Sequence, residues 1–309
     1  MKHILSIVDL SKDDLELILS ECAAMKTRFR KGIHDPLYEG RLLGMYFEKP
    51  SLRTRVSLDA AITSYGGGAV YLESAGPGIL WERECIRDQA RVMSRLVCAV
   101  SMRTFSQKHI EEFASESSVP VINVLSDYEH PTQAMADYLT MREYLGDIRG
   151  KTMVYLGDGN NVARSLLSAA ALLGVRFIWS GPADYRIESE YVDKVRAKTP
   201  DMEFVEEADP EKAVKEADAI YTDAWASMGQ EDEAAKRAKD FAAYQFNEKL
   251  MEKAPAHAIA LHCLPAHRGL EITDGILDGK RSAVYDQSEN RMHVYRGLFS
   301  LWAGDWKNK

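Results

Sequence analysis

Short apolar runs alternate with longer amphipathic stretches along nearly the whole chain, and this alternation limits the fold more than any other feature. An apolar run too short for a helix and bounded by turn residues reads as a strand buried on both faces. A stretch with helical spacing that follows it covers one of those faces. Strand, helix and strand repeated in this way give a parallel sheet, because parallel neighbours need a crossover and the helix supplies it. The expected fold class is α/β with largely parallel sheets.

The strand candidates of a first set are Leu42–Phe47, Ala69–Leu72, Leu96–Met102 and Val119–Val124. Helix candidates Arg53–Tyr65, Cys85–Arg95 and Gln107–Glu116 lie between them. A second set runs through Thr152–Gly157, Arg176–Trp179, Ala219–Thr222 and Ala258–His262, with Ser282–Tyr285 as its expected last strand. The helical stretch Pro131–Leu145 joins the sets, and Gly146–Gly150 has the composition of a helix stop. The boundary is expected within this helix, which gives domains 1–135 and 136–289 and leaves a last helix in 290–309.

A chain of 309 residues fits two domains at roughly 150 residues each. Lys and Arg number 39 against 47 Asp and Glu, a net charge of -8, so no global basic field is available for nucleic acid. An anionic ligand must therefore be held by a local group of basic side chains. No apolar run reaches the roughly 18 residues of a membrane span. Cys22, Cys85, Cys98 and Cys263 form no CxxC pair, which disfavours a structural zinc site. The opening Met1–Ser6 runs on toward Asp13-Asp14, with no signal-peptide core and no acid-poor transit composition. Free thiols and a cytoplasmic location are expected.

Five segments at the carboxyl ends of expected strands carry chemistry. Ser51-Leu52-Arg53-Thr54-Arg55 opens a helix after a buried strand. Helix N-termini expose unpaired N–H groups and a positive dipole end, which suits phosphate. Ser51 and Thr54 add hydroxyls, and Arg53 adds a planar fork; the bland alternative is a capped helix with solvated arginines. Met102-Arg103-Thr104-Phe105 puts Arg103 just past a strand, where open α/β sheets bind ligands. His130-Pro131-Thr132-Gln133 starts another helix, and His130 with Gln133 can donate to a carbonyl oxygen. Asp223 follows the strand at Ala219 and suits a substrate ammonium, with Ser227-Met228-Gly229 beyond it. His262-Cys263-Leu264-Pro265 invites a metal or a Cys–His nucleophile. The spacing lacks that of zinc fingers, and adjacent strand residues face opposite ways, so both readings carry little weight.

Two segments imitate nucleotide motifs. Gly157-Asp158-Gly159-Asn160-Asn161-Val162 has Val162 in place of the third glycine of a dinucleotide fingerprint. Gly146–Thr152 is one residue short of a P-loop and precedes its strand instead of following it.

Taken in order, Ser51–Arg55, Met102–Phe105, His130–Gln133, Gly157–Asn161, Ser227–Gly229 and His262–Gly269 resemble the aspartate/ornithine carbamoyltransferase family over nearly the whole chain. The Ser227–Gly229 and His262–Pro265 segments resemble its ornithine branch. The resemblance implies that Ser51, Leu52, Arg53, Thr54, Arg103, His130, Gln133, Cys263, Leu264 and Arg291 bind carbamoyl phosphate. It implies that Asn161, Asp223, Ser227 and Met228 bind ornithine, and that Arg53, Arg103, His130 and Cys263 are catalytic. The fold it implies is α/β, two doubly wound parallel-sheet domains with the active site in the interdomain cleft and a C-terminal helix, 290–309, returning to the first domain. No cofactor and no metal are implied. The expected partners are carbamoyl phosphate and L-ornithine, the expected products citrulline and phosphate, and the expected assembly a homotrimer or a multiple of trimers. Putrescine or an N-acylated ornithine is the alternative amine; a non-catalytic binding homologue and an NAD-dependent oxidoreductase are readings from other classes.

The chain departs from the family pattern in two places. Leu52 stands where a Thr is usual, which removes a hydroxyl. Gly78–Cys85 does not match the usual Gly-rich, Gln-containing segment, so no site residue is assigned from it.

Overall fold

The computed structural model describes residues 2–73, 81, 84–226 and 231–306, the side chains of residues 231 and 304–306 excepted. The chain divides into two compact units, Met1–Ala136 with Glu289–Lys309, and Asp137–Ser288.

The first unit holds a parallel sheet of β1 (Leu42–Phe47), β2 (Gly68–Glu73), β3 (Ala99–Arg103) and β4 (Val121–Leu125) in the order β2-β1-β3-β4. Helices α1 (Lys12–Arg30), α2 (Leu52–Thr63), α3 (Ile86–Leu96) and α4 (Gln107–Glu116) flank it in sequence. β1 and β3 are apolar and buried almost throughout, as strands covered on both faces must be. The chain builds outward from β1 to β2, then crosses back to β3 and β4. Helices leaving adjacent strands in opposite directions open a crevice at that reversal, where such sheets bind ligands. Phe47 is in register with Arg103, so the segments after β1 and β3 emerge side by side.

α5 (Pro131–Leu145) begins in the first unit and continues into the second. Gly146, at φ +73°, takes the left-handed conformation that ends it. The second unit's parallel sheet has β5 (Thr152–Leu156), β6 (Arg176–Ser180), β7 (Phe204–Glu206), β8 (Ala219–Thr222) and β9 (Ile259–His262) in the order β7-β6-β5-β8-β9. Its helices include α6 (Asn161–Leu173), α7 (Ser189–Lys198) and α8 (Ala234–Asp240). The order reverses between β5 and β8, where Leu156 pairs with Thr222 and Thr222 with His262. The last helix, α9 (Val284–Trp306), passes from the second unit into the first at Glu289.

Three sequence expectations need correction. Leu96 is not strand: α3 runs through it, Val97 turns extended, and the ladder starts at Ala99. Leu96 is well exposed, so its apolar side chain marks a helix end. Ser282–Tyr285 is not a strand either. Ser282 makes one parallel bridge to Ala260, and Gln287 N–H then bonds to the Ala283 carbonyl as the helix starts. Consequently α9 begins at Val284 and not near Asn290. Several elements went unread, among them α1, α7 and β7. α1 carries its own signal, a capping box in which Ser11 accepts from Asp14 N–H and Asp14 accepts from Ser11 N–H.

Candidate active site

The reversal point of the first sheet gathers four basic or imidazole side chains. Ser51, extended at φ -159°, caps α2, and its hydroxyl accepts from Thr54 N–H at 3.4 Å and lies 2.9 Å from the Thr54 hydroxyl. No acidic residue stands in the first turn, so the positive end of the helix is not offset there. Leu52 is 75% exposed, which leaves its side chain out of the packing. Thr54 is buried and accepts from Arg291 at 2.6 Å. Arg103 closes β3, and its carbonyl receives Glu48 N–H at 2.8 Å. Both Arg103 and Arg291 are buried, and the Nε of each lacks a hydrogen-bond partner among the described residues. His130 precedes Pro131, the first residue of α5, and Gln133 lies buried one turn on. Thr132 bonds to the Tyr295 hydroxyl of α9 at 3.2 Å.

The electrostatics of this group are one-sided. Burial, then the charges of Arg291 and Arg53, pull the Arg103 guanidinium down to about 10. It remains charged near neutral pH. Burial, then Arg291, Arg103 and Arg53, hold His130 well below the usual imidazole range. Three guanidinium groups thus surround a neutral imidazole. A neutral ring offers one N–H donor and one acceptor, which suits polarising a carbonyl without adding a fourth charge. Clustered like charges raise each other's cost of ionisation, and a bound anion relieves it. Buried guanidinium donors at a helix start match the oxygens of a phosphate group.

In the second unit, the corresponding sheet edge gathers Asp223, Asn160 and Cys263. Asp223 follows β8 and accepts from Asn160 Nδ2 at 3.0 Å, from Ala224 N–H at 2.7 Å and from the Cys263 thiol at 2.9 Å. Burial, then the Asp223 charge, push the Cys263 thiol well above its usual range. The protonated thiol is a hydrogen-bond donor here and not a nucleophile. His262, fully buried, accepts Leu264 N–H on Nδ1 at 2.8 Å, and its Nε2 lies 3.2 Å from Glu271. That bond accompanies an unusual conformation: Leu264 sits at φ +58°, a region a γ-branched residue rarely enters. Asp223, His262 and Cys263 each present a ligand atom within 4.8 Å of the others. Both ring nitrogens of His262 already have hydrogen-bond partners, Leu264 N–H and Glu271.

The glycine segment after β5 serves packing. A Cβ on Gly159 would meet Ile187 N at 2.2 Å, so only glycine fits this approach of two backbones. Asn160 caps α6, its Oδ1 accepting from Val162 and Ala163 N–H. Those are donors that a pyrophosphate would use at a dinucleotide site.

Ser51, Thr54, Arg103, His130 and Arg291 come together in the first unit, with Arg53 close enough to shift both His130 and Arg103. Asp223, Cys263 and Leu264 come together in the second, through His262. Ser227 and Met228 lie outside the described residues. Asn161 is the first residue of α6, and it is its neighbour Asn160 that bonds to Asp223. An Asn immediately before an apolar helix is a cap signal that would have pointed to Asn160. Arg237 was also missed: it is buried, pairs with Asp158 at 2.7 Å and Glu233 at 2.9 Å, and donates to the Trp225 carbonyl at 3.0 Å. Its i, i+4 spacing from Glu233 is the only sequence trace it leaves.

Sequence models of two protein domains match the chain. The one described as aspartate/ornithine carbamoyltransferase, carbamoyl-P binding domain, covers residues 2–143. The one described as aspartate/ornithine carbamoyltransferase, Asp/Orn binding domain, covers residues 149–302. The ornithine carbamoyltransferase of Archaeoglobus fulgidus is 47% identical over 302 residues, spanning 96% of each chain. That of Methanopyrus kandleri is 45% identical over 306 residues, 98% of this chain and 97% of the relative. The solved structure of ornithine carbamoyltransferase from Pyrococcus furiosus superposes with a TM-score of 0.93 at 42% identity, covering 98% of this chain and 97% of that one. With both domain models matched in order and relatives of this similarity spanning nearly its whole length, the chain belongs to the aspartate/ornithine carbamoyltransferase family.

Proposed function

We propose that this protein transfers the carbamoyl group of carbamoyl phosphate to the side-chain amine of L-ornithine, giving L-citrulline and phosphate. The observation that carries the reading is the group of buried Arg103 and Arg291 with half-buried Arg53 around a neutral His130, at the start of two helices. The names of the relatives, all ornithine carbamoyltransferases, support the choice of amine.

In this reading residues 1–135 with the returning helix form the carbamoyl phosphate domain, and 136–289 the ornithine domain. Arg53, Arg103, Arg291, Ser51, Thr54 and the backbone at Leu52 hold the phosphate group and stabilise it as it leaves. His130, Gln133 and Arg103 donate to the carbonyl oxygen as charge develops on it. Asp223 takes the α-ammonium of ornithine, and Asn161, Ser227 and Met228 complete its polar surroundings. Cys263 and Leu264 face the carbamoyl carbon and the attacking nitrogen. The neutral amine adds to the carbonyl carbon, the C–O bond to phosphate breaks, and the nitrogen gives up its proton. Holding both reactants in place lowers the barrier by several kcal/mol, the equivalent of a high effective molarity. The working assembly in this reading is a homotrimer, and the four free cysteines are in keeping with a reducing cytoplasm.

The test supplies labelled carbamoyl phosphate with ornithine, putrescine, N-acetylornithine, lysine or aspartate. Citrulline from ornithine is the expected outcome. Carbamoylation of another amine alone would overturn the substrate while keeping the chemistry; no transfer to any of them would overturn the reading.

A further inference from the structure

Trp81 lies in the segment where the sequence departs from the family pattern, and its surroundings give it a task. Its indole stacks on Tyr46 of β1 with ring centres 5.6 Å apart and planes 16° apart. His109 of α4 meets the indole edge-on at 5.7 Å. The indole N–H donates to Glu48 Oε1 at 2.9 Å. Glu48 is a buried carboxylate directly after β1, and it is a junction. Its Oε2 accepts Phe105 N–H at 2.7 Å, and its own N–H bonds to the Arg103 carbonyl at 2.8 Å. One residue therefore joins the turn that leads to Ser51 and Arg53 with the turn that leaves Arg103. Lys49 closes the same junction from outside, its ammonium 3.8 Å from the Phe105 ring centre.

We propose that Trp81 is a positioning residue for the phosphate half-site, acting through Glu48. A buried carboxylate holds its rotamer only while its oxygens are satisfied. Phe105 N–H bonds one oxygen and the Trp81 indole bonds the other, with His109 Nδ1 4.0 Å from that same oxygen, so Trp81 helps lock the side chain that spaces Arg53 from Arg103. Two guanidinium groups aimed at one phosphate need that spacing held, because a misplacement on the order of 1 Å weakens such a site strongly. Trp81 itself touches no reacting atom in this account.

This inference rests on the carbamoyl phosphate reading, and the experiment separates the two. The parent protein is first assayed for citrulline formation; its failure there refutes that reading and leaves nothing for Trp81 to position. If the parent is active, Trp81→Phe is compared with it, since Phe keeps a ring to stack on Tyr46 and removes the N–H donor along with the second ring. The expected result is a KM for carbamoyl phosphate raised about tenfold, the size of one lost hydrogen bond to a charged group. Competitive inhibition by inorganic phosphate should weaken by the same factor, while the KM for ornithine stays within twofold. Glu48→Gln should give a similar shift, and the double variant should add little to it. Unchanged carbamoyl phosphate and phosphate constants in Trp81→Phe would overturn the proposal. So would equal loss of affinity for both substrates with a lowered melting temperature, the mark of a merely structural residue.

Discussion

Arg291 of α9 donates to the Thr54 hydroxyl in the first turn of α2 at 2.6 Å, across 237 positions of sequence. Both residues are buried, so the bond has no water to replace it. Thr54→Val keeps the shape and removes the acceptor. Leaving a buried guanidinium donor unsatisfied costs about 1–3 kcal/mol of stability. The expected outcome is a lower urea midpoint together with weaker phosphate inhibition. A variant matching the parent in both would show that the contact does nothing in solution.

Arg53→Ala removes one of three charges from the phosphate half-site. Loss of a donor aimed at developing charge costs about 10²–10³ in turnover. Arg53 is only half-buried, so far-UV circular dichroism and melting should stay near those of the parent. Preserved turnover in the steady-state assay would remove Arg53 from the mechanism.

Cys263 is expected to resist alkylation near neutral pH, because burial and Asp223 keep its thiol protonated. Exposed Cys85 serves as the internal comparison. Asp223→Asn takes away the charge that helps hold the proton, so Cys263 should then react faster. Peptide mass spectrometry after timed iodoacetamide treatment reads both sites in one sample. Rapid labelling of Cys263 in the parent, at the rate of Cys85, would contradict the assignment.

Stability should fall as the pH drops from about 6.5 toward about 4. His293 is buried and held down at about 4, mainly by burial, and His130 is also held well below 6.5. Between those values the unfolded chain binds protons that the folded chain refuses. Stability therefore rises with pH across the window and is lost as pH falls. For His293 the span sets an upper figure of about 3 kcal/mol, at 1.36 kcal/mol per unit. Urea denaturation at pH 7, 6 and 5 should show the slope, and His293→Gln should flatten it. An equal slope in the variant would assign the loss to other groups.

Much of the architecture was legible in the residues. β1, β8, α4 and α5 were read with the bounds they have, because each is a strongly patterned run closed by turn or cap residues. Leu96 and Ser282–Tyr285 misled because apolar and β-branched residues mark burial as readily as strand, and only the ladder decides. β7 has three residues, two of them exposed, so no apolar run announces it. In the candidate site, the basic residues that the structure gathers were legible because arginine and histidine stand directly after apolar strands there. Glu48 and Arg237 were not. Each serves by joining two distant loops, and joining is a property of the fold that neither neighbour in sequence betrays.

The passage of α9 back to the first unit has a consequence for how the protein is made. The second unit, Asp137–Ser288, is an insertion within the first. During synthesis every residue of the second unit precedes Arg291, so the first unit is the last to receive all of its residues. The Thr54 hydroxyl, the Thr132–Tyr295 pair and the third guanidinium of the phosphate group all depend on that late arrival. A nascent chain interrupted before Arg291 thus carries an intact second sheet and an unfinished anion site. Completion of this cluster of basic side chains therefore waits on synthesis having passed Arg291.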